Sequence, residues 1–293
     1  MLAPADWRKL YPFVTNTLDL DGQRYHYVDE GDGKPMLFVH GNPTWSFYWR
    51  NLITAFKGTH RTLAVDHIGC GLSDKPQNYE YTLEQHIDNL TRFIERLDLQ
   101  HITLAVHDWG GAIGLGAAVR QPERFERLVL FNTGAFPPPY VPWRIAALRF
   151  PILGEAAMRG LNAFARPAIS MATEKPERMT PEVAAGLLAP YDSWKNRVAI
   201  ARFVQDIPLT AKHPTHATLQ QIEHQLPSLA NKPIQMIWGA RDWCFTLECM
   251  RRFQSYWPDA ESHSLEDAGH YVIEDAHERI IPLMESFLER TAT

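Results

Sequence analysis

The chain has 293 residues, 45% of them hydrophobic, and 29 Lys and Arg against 34 Asp and Glu give a net charge of −5. That length suits one α/β domain carrying an insertion, and the absence of any run of like charge excludes a basic stripe for nucleic acid or anionic lipid. Cys70, Cys244 and Cys249 lack paired spacing, MLAPADWRKLYPF lacks an apolar signal core, and no apolar stretch reaches membrane-spanning length, so a cytoplasmic protein without a disulfide framework is expected.

In chain order, Phe13 to Leu20 and Gln23 to Tyr27 alternate apolar and polar residues around Asp21-Gly22 and predict a hairpin. Met36 to Val39 is a wholly apolar strand that ends in the loop HGNPTWSFYWR from His40 to Arg50, which leads into a helix. Thr62 to Val65 predicts another strand, closed by the turn DHIGCGLSDKP from Asp66 to Pro76. Thr82 to Leu97 is an amphipathic helix with Leu83, Ile87, Leu90, Phe93, Ile94 and Leu97 on one face. Ile102 to Leu115, ITLAVHDWGGAIGL, predicts a strand, a sharp turn at Asp108 and a helix beginning at Gly110. Leu128 to Phe131 is the next strand and reaches Asn132.

After Gly134 the proline-rich FPPPYVPW opens about seventy residues of helical pattern, with helices predicted over 144–149, 155–164, 181–188 and 192–205. This reads as an inserted helical cap over residues 136–213, between core segments 1–135 and 214–293. Ile234 to Trp238 returns to the sheet and ends in GARDWCF, which carries Asp242. His270 follows a small-residue turn in DAGHYVIEDAHERI and precedes the last helix. Strands alternating with helices predict a mostly parallel sheet flanked by helices, the α/β class, with its ligand site beyond the carboxyl ends of the strands.

Four polar loops meet at that edge and contribute Asn42, Asp108, Asp242 and His270. Capping a helix is the commoner use of an Asp at such a turn. The strand-turn-helix context, however, is that of a nucleophile elbow with Asp in place of Ser. A carboxylate that attacks a saturated carbon forms an ester on itself, which water can cleave, whereas Ser would form an ether. Cleavage needs a base and an acid to orient it; nucleophile, acid and His then follow in the order of the α/β-hydrolase plan. Either Asn132 or Asp242 stands where the acid belongs, and only Asp242 carries a negative charge.

His40-Gly41-Asn42-Pro43-Thr44 and Val106-His107-Asp108-Trp109-Gly110-Gly111 resemble the signatures of the haloalkane dehalogenases, within the α/β-hydrolase superfamily, and the resemblance spans nearly the whole chain. It implies an α/β-hydrolase fold with Asp108 as nucleophile, His270 as base, Asp242 as triad acid, and Asn42 and Trp109 as the halide-stabilising pair whose backbone N–H groups form the oxyanion hole. Their amide and indole are neutral donors able to hold a leaving halide without neutralising it. The implied activity is hydrolysis of carbon–halogen bonds, giving alcohol, halide ion and a proton. Pairing the later-strand acid with Asn42 resembles a subgroup similar also to the β-lactone decarboxylases of olefin synthesis, as do FNTGAF and APYDSWKNRVAIARFVQDIPL. Opening of a β-lactone to a cis-alkene and carbon dioxide is therefore the alternative.

Epoxide hydrolases share the Asp and the DWGG string, and Tyr140 and Tyr191 lie in the cap, but they usually carry an aromatic residue where Asn42 stands; this reading ranks third. A ligand receptor on a hydrolase scaffold would be expected to have a broken triad. His213 and His216 lack a third clustered ligand for a metal, and GCGLSDKP lacks a phosphate-loop pattern. No metal or other cofactor is expected. The expected partners are a small apolar halogenated or lactone substrate and a halide ion, with self-association left open. Trp143, Phe150, Leu153, Phe164, Met171, Trp194 and Phe203 are apolar enough to line a tunnel.

Overall fold

The computed structural model describes residues 6–292; the first five residues of the stretch read for a leader lie outside them. Eight strands form one sheet in the order β1-β2-β4-β3-β5-β6-β7-β8: β1 Thr15–Leu20, β2 Gln23–Glu30, β3 Pro35–Val39, β4 Arg61–Val65, β5 Ile102–Asp108, β6 Phe125–Thr133, β7 Ile234–Gly239 and β8 Glu261–Leu265. The predicted hairpin is β1 and β2, paired antiparallel, and its two turn residues take φ +54 at Asp21 and +79 at Gly22, the twist that a two-residue hairpin turn requires. β2 pairs antiparallel with β4; from there to β8 the pairs are parallel.

The parallel strands are apolar on both faces because helices cover both. Leu37, Val39, Leu104, Val106, Leu128, Leu130, Met236 and Trp238 point to one layer of core with the helices Leu83–Arg96, Trp109–Arg120 and Leu247–Tyr256. Their alternates Met36, Phe38, Ala105, Val129, Phe131 and Ile237 face the other layer, with Arg50–Phe56 and Val272–Arg290. Leu83–Arg96 buries the predicted stripe and begins at Thr82, whose side chain accepts from the Gln85 N–H.

β3 lies between β4 and β5, so the chain turns to opposite sides of β3, and the crevice at its carboxyl end is where ligands collect in open α/β sheets. Among the described residues, the stretch between Thr133 and Ile234 contains helices and no strand. The predicted 181–188 helix is Pro181–Leu188, whereas 144–149 and 155–164 shift to Trp143–Ala147 and Leu153–Leu161. The predicted 192–205 helix becomes a short turn and Val198–Asp206, because Arg197 takes φ −102, ψ 12 between them. The helices Ala165–Met171, Pro214–Gln225 and Leu247–Tyr256 were not anticipated, nor was β8, whose sequence ESHSL has no apolar run because it is an edge strand. No helix among the described residues is long and apolar enough to cross a membrane.

Candidate active site

β5 passes into the helix Trp109–Arg120 with no residue between, one position earlier than predicted, and Asp108 occupies the corner with φ +54. Small neighbours make that corner buildable. A Cβ on Gly110 would strike the Val39 carbonyl, one on Gly111 the Thr133 side chain, and one on Gly41 the Asp108 carboxylate itself. Asp108 is buried, and its Oδ1 accepts the Asn42 backbone N–H at 2.6 Å. Burial pushes the Asp108 carboxyl above the usual range, opposed by the nearby His270 and by the backbone N–H groups of Trp109 and Asn42. The two N–H groups read from sequence as an oxyanion hole therefore both reach this carboxylate.

His270 stands five residues beyond β8. Its Nε2 lies 3.6 Å from Asp108 Oδ2 and its Nδ1 2.8 Å from Asp242 Oδ2. Burial alone would lower its pKa, but the charge and hydrogen bond of Asp242, with Asp108 beyond, lift it above the ordinary imidazole value. Asp242 Oδ1 accepts the N–H groups of Cys244 at 2.7 Å and Phe245 at 3.1 Å, and the Phe245 ring stacks on His270. Arg241, next to Asp242 in the chain, pairs with Glu174.

Two positioning residues escaped the sequence reading. Asn132, set aside because it carries no charge, donates from Nδ2 to Asp242 Oδ2 and to the Gly239 carbonyl, each at 3.0 Å, and accepts the Gly239 N–H at 2.7 Å. Its place at a strand end was the available signal. Asp275, fully buried, accepts the Gly269 N–H at 2.8 Å together with the N–H groups of Glu174 and Lys175 and the Thr173 hydroxyl, which ties the turn before His270 to the cap. No local pattern marks it.

Asn42, Asp108 and half-buried Trp109 open onto a cavity of about 310 Å³, lined otherwise mostly by apolar groups such as Phe136, Ile145, Phe164, Val204 and Leu219. Asn42 Nδ2 donates one bond to the Ile200 carbonyl at 3.3 Å, leaving its second N–H. Of the seven residues proposed for a tunnel, Phe164 lines the cavity and Phe203 is buried beside Trp109, whereas Trp143, Phe150, Leu153, Met171 and Trp194 face solvent. The Tyr191 hydroxyl donates to the Thr44 carbonyl and that of Tyr140 to the Trp243 carbonyl. His213 caps the helix Pro214–Gln225 by accepting the Thr215 N–H.

A mostly parallel eight-stranded sheet, an Asp at a strand-to-helix corner, a His beyond the last strand and a helical cap define an α/β-hydrolase fold. The chain belongs to the alpha/beta hydrolase fold family, whose profile matches residues 34–276, and it is an enzyme of that family. It is 42% identical over 290 residues to a cis-3-alkyl-4-alkyloxetan-2-one decarboxylase of Shewanella oneidensis, covering 97% of this chain and 91% of the relative. Haloalkane dehalogenase 2 of Mycobacterium tuberculosis is 32% identical, with 93% of this chain and 94% of the relative covered. The crystal structure of the haloalkane dehalogenase DatA from Agrobacterium tumefaciens superposes with a TM-score of 0.84 at 28% identity, over 95% of this chain and 97% of the other.

Proposed function

We propose that the chain is a cis-β-lactone decarboxylase, converting a 3,4-dialkyl-oxetan-2-one to a cis-alkene and carbon dioxide. The observation that carries the reading is the full-length similarity to the oxetanone decarboxylase, ten percentage points above that to the dehalogenase, 42% against 32%. This reverses the order expected from sequence, where carbon–halogen hydrolysis came first. Both reactions use the same strand-end residues, so the motifs alone did not rank them. Asp108 attacks the saturated ring carbon that bears the ring oxygen, and the ring C–O bond breaks to leave a carboxylate on the neighbouring carbon. That gives an ester on Asp108 with inverted configuration. The bond to the carboxylate then breaks with its electron pair forming the alkene, carbon dioxide departs, and Asp108 leaves anti to it as a carboxylate. Inversion followed by anti departure preserves the cis relationship. Atoms balance without water, oxidant or metal. Asn42 and Trp109 donate N–H groups to the oxygen freed from the ring.

Haloalkane dehalogenation is the second reading, favoured by the same Asp108, His270, Asp242, Asn42 and Trp109 around an apolar cavity. There His270 must activate water against the Asp108 ester. Epoxide opening is disfavoured by the two cap tyrosine hydroxyls, which are already committed to backbone carbonyls. The test is turnover in heavy-oxygen water followed by mass spectrometry of the peptide containing Asp108. A cis-β-lactone should yield cis-alkene and leave Asp108 unlabelled, because the alkyl C–O bond breaks. A bromoalkane hydrolysed through the ester places solvent oxygen in Asp108. A β-hydroxy acid as the lactone product, or no product at all, would overturn the decarboxylase reading.

A further inference from the structure

The cap helix Leu153–Leu161, LGEAAMRGL, buries an arginine beside Met158 and turns both of its leucines outward. Its Arg159 is 7% exposed, bonded to Glu155 at 2.6 Å and to the Trp194 carbonyl at 3.2 Å, while Leu153 is 70% and Leu161 73% exposed. Leu153, Ala156, Gly160 and Leu161 follow the i, i+3, i+7, i+8 spacing and all face outward, so the outer stripe has no polar side chain. Ile152, just before the helix, is 83% exposed, and Trp143 and Phe150 extend the same outward apolar character along the chain. A surface helix ordinarily does the reverse, and a contiguous exposed apolar face marks an interaction site.

Charge identifies the partner. Residues 140–166 contain Arg144, Arg149, Arg159 and Arg166 against one acid, Glu155, which is paired with Arg159. Three arginines remain uncompensated within that segment of a chain whose net charge is −5. They are spaced too far apart to read as a basic run, and because the one acid, Glu155, is paired with Arg159, the other three arginines set the sign of the face. A second copy of the same patch would set arginine against arginine with only the already paired Glu155 to match. An anionic lipid surface offers both opposite charge and apolar depth, with tryptophans such as Trp143 and Trp194 at the headgroup boundary.

We propose that this cap face docks on an anionic lipid surface. Tyr140, Val141, Pro142, Ile145 and Phe164 of the same segment line the cavity, so docking sets the cavity wall against hydrocarbon. The docking stands apart from the decarboxylase reading; exchange of a water-insoluble lactone and alkene with the lipid is the part that rests on it.

The test is flotation of the full chain with phosphatidylcholine vesicles and with vesicles containing phosphatidylglycerol. The protein should float with the anionic vesicles, less so at high salt, and remain unbound to phosphatidylcholine alone. Leu153→Glu with Leu161→Glu should weaken binding by about tenfold or more, and so should Arg144→Glu with Arg166→Glu. Circular dichroism melting of these variants should be unchanged, since the substituted side chains are exposed. Flotation that is absent, indifferent to headgroup charge, or indifferent to these substitutions would overturn the proposal. So would a concentration-dependent dimer that Leu153→Glu with Leu161→Glu dissolves, in a protein that ignores vesicles. None of these readouts requires turnover, so they separate this proposal from the function assigned to the cavity.

Discussion

The Asn132 amide donates to the same Asp242 oxygen, Oδ2, that receives His270 Nδ1, at 3.0 Å and 2.8 Å. The ends of β6 and β7 thus place two side chains at one point, and either could present a carboxylate there. Asp242→Asn should cost about 10⁴-fold in bromoalkane hydrolysis, where His270 must activate water, the size of effect seen when a triad acid loses its charge. Combining it with Asn132→Asp moves the charge to the other strand end and should recover part of that loss, measured as kcat for bromoalkane hydrolysis. Asn132→Asp alone sets two carboxylates side by side and should lower activity without restoring anything.

Gly41 borders the Asp108 carboxylate with no room for a methyl group. Gly41→Ala should displace the Asp108 carboxylate and lower kcat by about 10²-fold, the scale expected for a reacting group moved by an ångström. Because the change is at a strand-end loop and not in the core, far-ultraviolet circular dichroism should be unaltered while activity falls.

The pH dependence should distinguish the two chemistries. His270 titrates above the ordinary imidazole value and Asp108 above the ordinary carboxylate value. Water activation needs neutral imidazole, so steady-state bromoalkane turnover should fall as pH drops through the raised His270 pKa. A first-turnover halide burst needs only ionised Asp108 and should persist to lower pH, until Asp108 takes up its proton. Lactone decarboxylation involves no water step and should lack the His270 limb of hydrolysis. Rapid-quench measurement of halide and headspace measurement of alkene across pH check both statements.

Asp275 accepts three backbone N–H groups and a hydroxyl from two parts of the chain. Asp275→Ala leaves those donors buried without an acceptor and should cost about 3 kcal/mol in urea unfolding. Activity should fall as well, because Gly269 is next to His270, and Asp275→Asn should rescue stability in part by restoring one acceptor.

Removing the Asp108 carboxylate, the proposed nucleophile, gives the last contrast. Asp108→Asn should prevent any alkyl adduct with bromoalkane or lactone, whereas His270→Ala should accumulate the bromoalkane ester on Asp108. Intact-protein mass spectrometry reads both, and an adduct on the Asp108→Asn variant would remove Asp108 from the role proposed for it.

The sequence by itself determined the layered sheet and the corner at Asp108, because these depend on local signals: apolar runs for buried parallel strands, positive-φ residues at turns, and glycines where a helix must approach a strand. It also marked Asn42, Asp242 and His270 as candidates, since polar loops at the strand ends of a parallel sheet converge, and Trp109 through the resemblance of its motif to a known family. Only the tertiary structure decided which atoms meet. Asn132 acquires its partner from a residue more than a hundred positions away, and Asp275 gathers donors from a cap segment with no pattern linking them. The edge strand β8 stayed hidden because half its surface needs no apolar cover. The cap helices misled for a related reason. Their apolar residues predict burial, and folding instead buries Arg159 through its polar partners while turning Leu153 and Leu161 outward. Periodicity locates a stripe on a helix, but the neighbours that cover it, or leave it bare for a surface outside the chain, are set by packing.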